Sequence, residues 1–164
     1  MSIRSYGIDF LEAFEHLIVD EGVESNDPRD PGGYTRYGVS SVAWPNLDLA
    51  NMTKDDFKEF YFVNYWNAVC AGSFPNAIGD VLFDAAVNQG VVWAIRMAQT
   101  TVGVSVDGIM GPVTRAKIEQ YNLVRFVERY TTCRIRRYMN TKNFETFGDG
   151  WITRAIRVAI RAMR

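Results

Sequence analysis

Two carboxylates nine positions apart, Glu21 and Asp30, followed five positions later by the hydroxyl of Thr35, are the residues whose types and spacing point to chemistry. Breaking the acetal link between two sugars takes a proton donor for the leaving oxygen. It also takes a second carboxylate, or a positioned water, on the other side of the ring. Glu21 suits the donor: it falls in the last turn of a predicted helix beside Asp20 and Glu24, where the helix dipole and neighbouring acids disfavour the ionised form. Asp30 suits the second role, because Pro28, Pro31, Gly32 and Gly33 around it demand tight turns that fix a carboxylate for orienting water. Thr35 adds a hydroxyl able to hold that water. The same residues have a plainer reading, a solvated helix-end acid and an Asx-turn aspartate, and local chemistry leaves both open.

The elements that must position these groups can be read from periodicity. From Asp9, a candidate N-cap, Phe10, Phe14, Leu17 and Ile18 recur at helical spacing, and Gly22 supplies a stop, so a helix ends at Glu21. The following SNDPRDPGGYTRYG carries two Asp-Pro steps and a Gly pair, which predicts a rigid irregular loop with room for one small hairpin over 34–40. Thr53 caps a predicted helix through Phe57, Phe60, Tyr61 and Tyr65, closed by Gly72 and Pro75. Leu82, Phe83, Ala86 and Val87 predict a short helix stopped by Asn88 and Gly90. A helix over 91–100, a loop over 102–111, a helix from Pro112 to Gln120 and an amphipathic helix over 123–137 follow. Gly148 and Gly150 read as one more break before a last helix, WITRAIRVAIRAMR. Its Ile152, Ile156 and Ile160 are expected to pack, while Arg154, Arg157, Arg161 and Arg164 form a basic stripe. That stripe is either a solvated face or a contact for an anionic membrane or envelope.

Composition bounds what such a chain can be. With 164 residues, 48% hydrophobic and 23% charged, it has the makings of one folded unit without disulfide or metal staples. A formal net charge of -1 and a pI near 5.8 lack the basic footprint of nucleic-acid binding. Cys70 and Cys133 lie far apart, and His16 is the single histidine, so no metal and no cofactor are expected. Both cysteines read as buried small apolar residues, with their pairing left open. Asp9, Glu12, Glu15 and His16 interrupt the N-terminal apolar stretch, which gives no signal peptide. The expected product is made in a cytoplasm and released by some other agent.

The stretch DEGVESNDPRDPGGYTRYGVS resembles the signature of glycoside hydrolase family 108, a group of N-acetylmuramidases. Glu21, Gly22, Asn26, Asp27, Pro28, Asp30, Pro31, Gly32, Gly33, Thr35 and Gly38 match its pattern, with Val23-Glu24 standing where the family has Gly-Tyr. YFVNYWNAV at 61–69 and LFDAAVNQG at 82–90 are similar to further segments of the family. MAQTTVGVSVDGIMGPVTRAKI is similar to the predicted peptidoglycan-binding segment that accompanies it, through Gln99, Gly103, Val104, Asp107, Gly108, Gly111, Pro112 and Thr114.

The resemblance implies a mainly α, lysozyme-like helical fold with at most one small β-hairpin. It implies a single unit over 1–164, with a muramidase part over 8–90 and a helical peptidoglycan-binding part over 91–164. Glu21 becomes the catalytic acid; a likeness of order to short phage lysozymes gives Asp30 and Thr35 the water-orienting roles. Tyr34, Tyr37, Asn88 and Gln89 are the candidates for substrate contact, while Tyr65 and Trp66 read as core aromatics. Peptidoglycan is the implied partner, the chain is expected to act as a monomer, and the implied setting is a phage endolysin released by a holin into the periplasm or wall. Two rivals stand beside hydrolysis: a lytic transglycosylase, and a non-catalytic protein that binds the wall or assists secretion.

Overall fold

The computed structural model describes residues 6–22, 24–25 and 33–164. Packing divides the chain into two compact units, Met1–Asn64 and Tyr65–Arg164. Among the described residues the secondary structure is mainly α-helical, with one small antiparallel sheet.

The first unit opens with α1 (Ile8–Glu21), whose Phe10, Ala13, Phe14 and Leu17 form the buried stripe of an amphipathic helix. Gly7, rather than Asp9, occupies the N-cap, and Asp9 lies in the first turn, where an acid complements the helix dipole. Gly22 ends the helix at φ +78°, a left-handed conformation that a residue with a Cβ resists, and its N–H returns to the Ile18 carbonyl at 3.1 Å. The expected hairpin is present as β2 (Thr35–Arg36) and β3 (Val39–Ser40). A third short strand, β1 (Glu24–Ser25), pairs antiparallel on its edge, with Glu24 opposite Arg36.

α2 (Lys54–Tyr61) starts with the expected cap, completed as a reciprocal box: the Asp56 N–H donates to Thr53 Oγ1 at 3.2 Å and the Thr53 N–H to the Asp56 carboxylate at 2.8 Å. Those hydrogen bonds hold the Asp56 carboxyl below its usual range. The predicted continuation to Tyr65 takes the form of a π-helical turn, Phe62–Trp66. An aromatic cluster closes this unit: Tyr6 and Phe10 meet Phe62 edge-on, Phe14 leans on Tyr61, and Trp44 meets Phe60 edge-on.

The second unit is arranged around α3 (Asn76–Gln89), which is buried on every side from Ala77 to Ala86 except at Asp80. It begins well before the apolar cluster that announces it in sequence. α4 (Val91–Val102), α6 (Leu123–Met139) and α7 (Phe144–Ala162) pack against it, while α5 (Pro112–Glu119) packs on α4. Trp66 is buried edge-on against Phe83, in keeping with its reading as core.

An ion cluster sits within this bundle. The Asp84 carboxylate, 3% exposed, meets the Arg134 guanidinium at 2.5 Å and Arg154 at 2.8 Å. Burial alone would raise the Asp84 carboxyl, but the two arginines outweigh it and hold it low.

Four expectations from the sequence do not hold. Gly148 and Gly150 do not break the chain: α7 runs through both, and Gly148 is used for close packing, since a Cβ there would stand 2.6 Å from the Phe144 ring. Two of the three isoleucines expected to pack do not, while Ile152 is half-buried. Ala155 and Val158 are buried, whereas Ile156 and Ile160 are 44% and 52% exposed. Arg154 leaves the basic stripe, because it turns inward to Asp84. Cys70 and Cys133 are both free thiols and part-exposed rather than fully buried.

Candidate active site

Glu21 is the last residue of α1 and is half-buried. It ends the helix against the tip of the β2–β3 hairpin, whose two central residues, Tyr37 and Gly38, have φ +48° and +78°. Positive φ at both central positions is the requirement of the tight turn whose twist matches the flanking strands. Glycine is obligatory at 38 for a second reason. A Cβ on Gly38 would lie 2.8 Å from Glu21 Cγ and 3.0 Å from the Tyr61 hydroxyl, so the bare backbone is what lets the glutamate stem lie against the hairpin. Tyr37 is held in the left-handed region from outside: the Tyr61 hydroxyl donates to its carbonyl at 2.7 Å, and its ring meets Phe57 edge-on at 5.0 Å.

The hairpin is anchored by a residue that the sequence reading did not single out. Arg36 Nη1 donates to the carbonyls of Leu49, Ala50 and Met52 at 2.9–3.1 Å, and its guanidinium lies 5.8 Å from the rings of both Tyr37 and Phe57. Thr35, in the central strand, lies opposite Ser25 and Ser40, and its hydroxyl donates to the Gly33 carbonyl at 3.3 Å. That hydroxyl keeps acceptor capacity for a water. Tyr34 is tied to Glu24: desolvation, then the hydrogen bond and charge of Glu24, raise its phenol above the usual value. The structure thus gathers Glu21, Tyr34, Thr35 and Tyr37 onto one helix end and one hairpin. Asp30 lies outside the described residues.

Asn88 and Gln89 belong to the second unit, at the end of α3. They line a pocket of about 220 Å³ with Arg137, Tyr138, Thr141 and Trp151. The motif around Gln99 has an internal use. The Gln99 side chain is fully buried; its Nε2 donates to Asp107 at 2.6 Å and to the Ile109 carbonyl at 3.0 Å, while its Oε1 accepts from the Gly108 N–H at 2.8 Å. Asp107 also accepts from the Ile109 N–H, and these bonds hold its carboxyl below the usual range. Gly108 takes φ +84° in this turn. The motif is therefore a clamp that closes the 103–111 loop onto α4 and α5.

A helix-end glutamate packed on a rigid short hairpin, in a chain whose second unit is a helical bundle, suits a helical glycosidase. Comparison with known families gives the rest: residues 14–90 match the model described as "Glycosyl hydrolase 108", and residues 92–156 match "Predicted Peptidoglycan domain". A solved structure, "Structure of Brucella abortus SagA", is 31% identical with a TM-score of 0.86, over 94% of this chain and 93% of that one. No curated protein gives a significant match. The chain belongs to the glycosyl hydrolase 108 family. It is a glycoside hydrolase of the N-acetylmuramidase type, with a lysozyme-like role in degrading peptidoglycan, and peptidoglycan is its ligand.

Proposed function

We propose that the chain hydrolyses the β-1,4 bond between N-acetylmuramic acid and N-acetylglucosamine, with Glu21 donating the proton to the leaving oxygen. Asp30 and Thr35 orient the attacking water, and Tyr34 and Tyr37, on the hairpin that seats Glu21, contact the glycan. The observation that carries this reading is the seat of Glu21: the acid ends a helix and lies against a hairpin whose glycine, lacking a Cβ, lets that stem approach. A donor held on rigid elements starts close to its reacting geometry, and positioning of this kind is a large part of catalysis. The fuller setting we infer is an endolysin, made in a host cytoplasm and given access to the wall by a holin.

Turbidity loss of purified peptidoglycan tests the reading directly. Glu21→Gln keeps the shape and removes the proton donor, so the rate should fall by about 10²–10⁴-fold with the melting temperature unchanged. Retention of most of the rate would remove Glu21 from the mechanism. Reducing-end analysis of the products separates water from the rival nucleophile, because anhydro-muramic ends would replace hydrolysis with transglycosylation. Expression in bacteria with and without a holin tests the setting. Lysis that is independent of the holin would sink the endolysin reading.

A further inference from the structure

The pocket at the end of α3 is wired more specifically than its position in a wall hydrolase requires. A chain of hydrogen bonds runs out to it from the buried ion cluster. Arg134 Nε donates to the Tyr138 hydroxyl at 3.0 Å, and the Tyr138 hydroxyl bonds Asn88 Oδ1. Arginine can only donate, so the tyrosine oxygen must accept from it and pass its own proton onward. The Asn88 carbonyl oxygen is therefore the acceptor, and its NH2 group is left as a donor with its orientation set.

Two further groups at this pocket have no partner among the described residues. Gln89 Oε1 and Arg137 Nε are both buried and make no hydrogen bond. A buried polar atom left unsatisfied costs about 1–3 kcal/mol, so each needs an explanation. No carboxylate among the described residues pairs with Arg137. Its guanidinium lies 3.9 Å from the centre of the Trp93 ring, which fixes the charge without neutralising it. The Tyr138 carbonyl at the end of α6 is already taken by the Thr141 N–H and hydroxyl. The residues lining the pocket thus carry one oriented amide donor, one buried acceptor without a partner and one cation without a carboxylate, all among the described residues.

An N-acyl amino acid presents the matching set: a carbonyl to accept, an N–H to donate and a carboxylate. N-acetylglucosamine matches the first two and leaves the cation unanswered, and in the wall the lactyl carboxyl of N-acetylmuramic acid is taken up in its amide link to the stem peptide. A sugar's usual platform is also occupied, since Trp151 is stacked on Tyr138 and tilted against Phe147. The volume, about 220 Å³, falls below the about 300–1,000 Å³ of pockets that enclose drug-sized ligands, and suits one residue-sized group. We propose that this pocket binds the N-acylated, free-carboxylate end of a peptide, the chemistry that closes a peptidoglycan stem. The identification of that peptide as a wall stem rests on the wall-hydrolase reading above.

The test is calorimetric titration of the full chain with N-acetyl-D-alanyl-D-alanine, with its C-terminal amide, and with di-N-acetylchitobiose. The free acid should bind at least about tenfold tighter than the amide, because a charge-assisted contact is lost with the carboxylate. Arg137→Gln should abolish that preference and Arg137→Lys should retain it, both at a near-native melting temperature. Equal binding of acid and amide, or a preference that survives Arg137→Gln, overturns the proposal, as does binding of the disaccharide alone. Turbidity and product assays run on the same preparations keep the two readings apart. Wall hydrolysis without selective binding of the acid removes only the pocket's role, whereas selective binding without hydrolysis removes the muramidase reading and leaves the pocket standing.

Discussion

Gly38 and Tyr37 show how single residues hold the acid in place. Alanine at 38 would carry a left-handed penalty of about 1–2 kcal/mol and also set a Cβ 2.8 Å from Glu21 Cγ. Gly38→Ala should therefore lose about 1–3 kcal/mol in denaturant unfolding. Wall hydrolysis should fall at temperatures where the variant is still folded, because the clash is resolved by moving the Glu21 stem. Activity that tracks only the folded fraction would show that the hairpin tip does not seat Glu21. Tyr61→Phe removes the hydroxyl that donates to the Tyr37 carbonyl but leaves the ring in the aromatic cluster. The expected cost is about 0.5–1.5 kcal/mol, read as a shift in denaturation midpoint. Gly38 was visible in the sequence as a matched glycine; Tyr61 was visible as a helix position and the start of a family-like segment, but no local pattern tells which tyrosine hydroxyl will find a distant carbonyl.

Between elements, the strongest polar coupling is the Asp84 cluster, which joins α3 to α6 and α7. Asp84→Asn would leave two cations facing each other without their acid, a change of the kind that costs about 3–5 kcal/mol. The cluster also sets a pH dependence. The folded-state carboxyl of Asp84 is held below its unfolded value of about 4, so it contributes stability that is fully present above pH 4. That contribution is lost as pH falls through the lower folded-state value, because below it both states are protonated. Denaturant unfolding between pH 6 and 2 should show wild-type stability falling steeply below about pH 4. Asp84→Asn should start lower and fall less. Parallel curves for the two proteins would assign the acid sensitivity elsewhere. Sequence reading placed Asp84 inside an apolar helix without a role, because its partners lie 50 and 70 positions away.

For the whole molecule, the net charge of -1 hides an uneven distribution. With Arg154 turned to Asp84, Arg157, Arg161 and Arg164 flank the exposed Ile156 and Ile160 along the outside of α7. Basic and apolar groups side by side suit an anionic, partly apolar surface. Changing these three arginines to glutamine, with the melting temperature measured alongside, tests this. Sedimentation with anionic vesicles at low salt should weaken, and the wild-type binding should itself fade as salt rises toward about 0.15 M. Binding that ignores both salt and the substitutions would reduce the stripe to a solvated face.

The sequence by itself determined the helical class, the α1 stop before Gly22, the Thr53 cap, the hairpin over 34–40 and the family signature on Glu21. These are local matters of periodicity, turn chemistry and residue type within a few positions. Only the tertiary structure decided that Glu21 rests on Gly38, that Gly148 serves packing rather than a break, and that Arg154 points inward while Ile156 and Ile160 point out. It alone showed that the Gln99 motif clamps its own loop and that Arg137 Nε and Gln89 Oε1 find no hydrogen-bond partner among the described residues, beside a wired Asn88. The reason is common to all of these. A glycine, an arginine or a glutamine has several uses of similar local energy, and the choice among them depends on which distant atoms burial brings within about 3–4 Å.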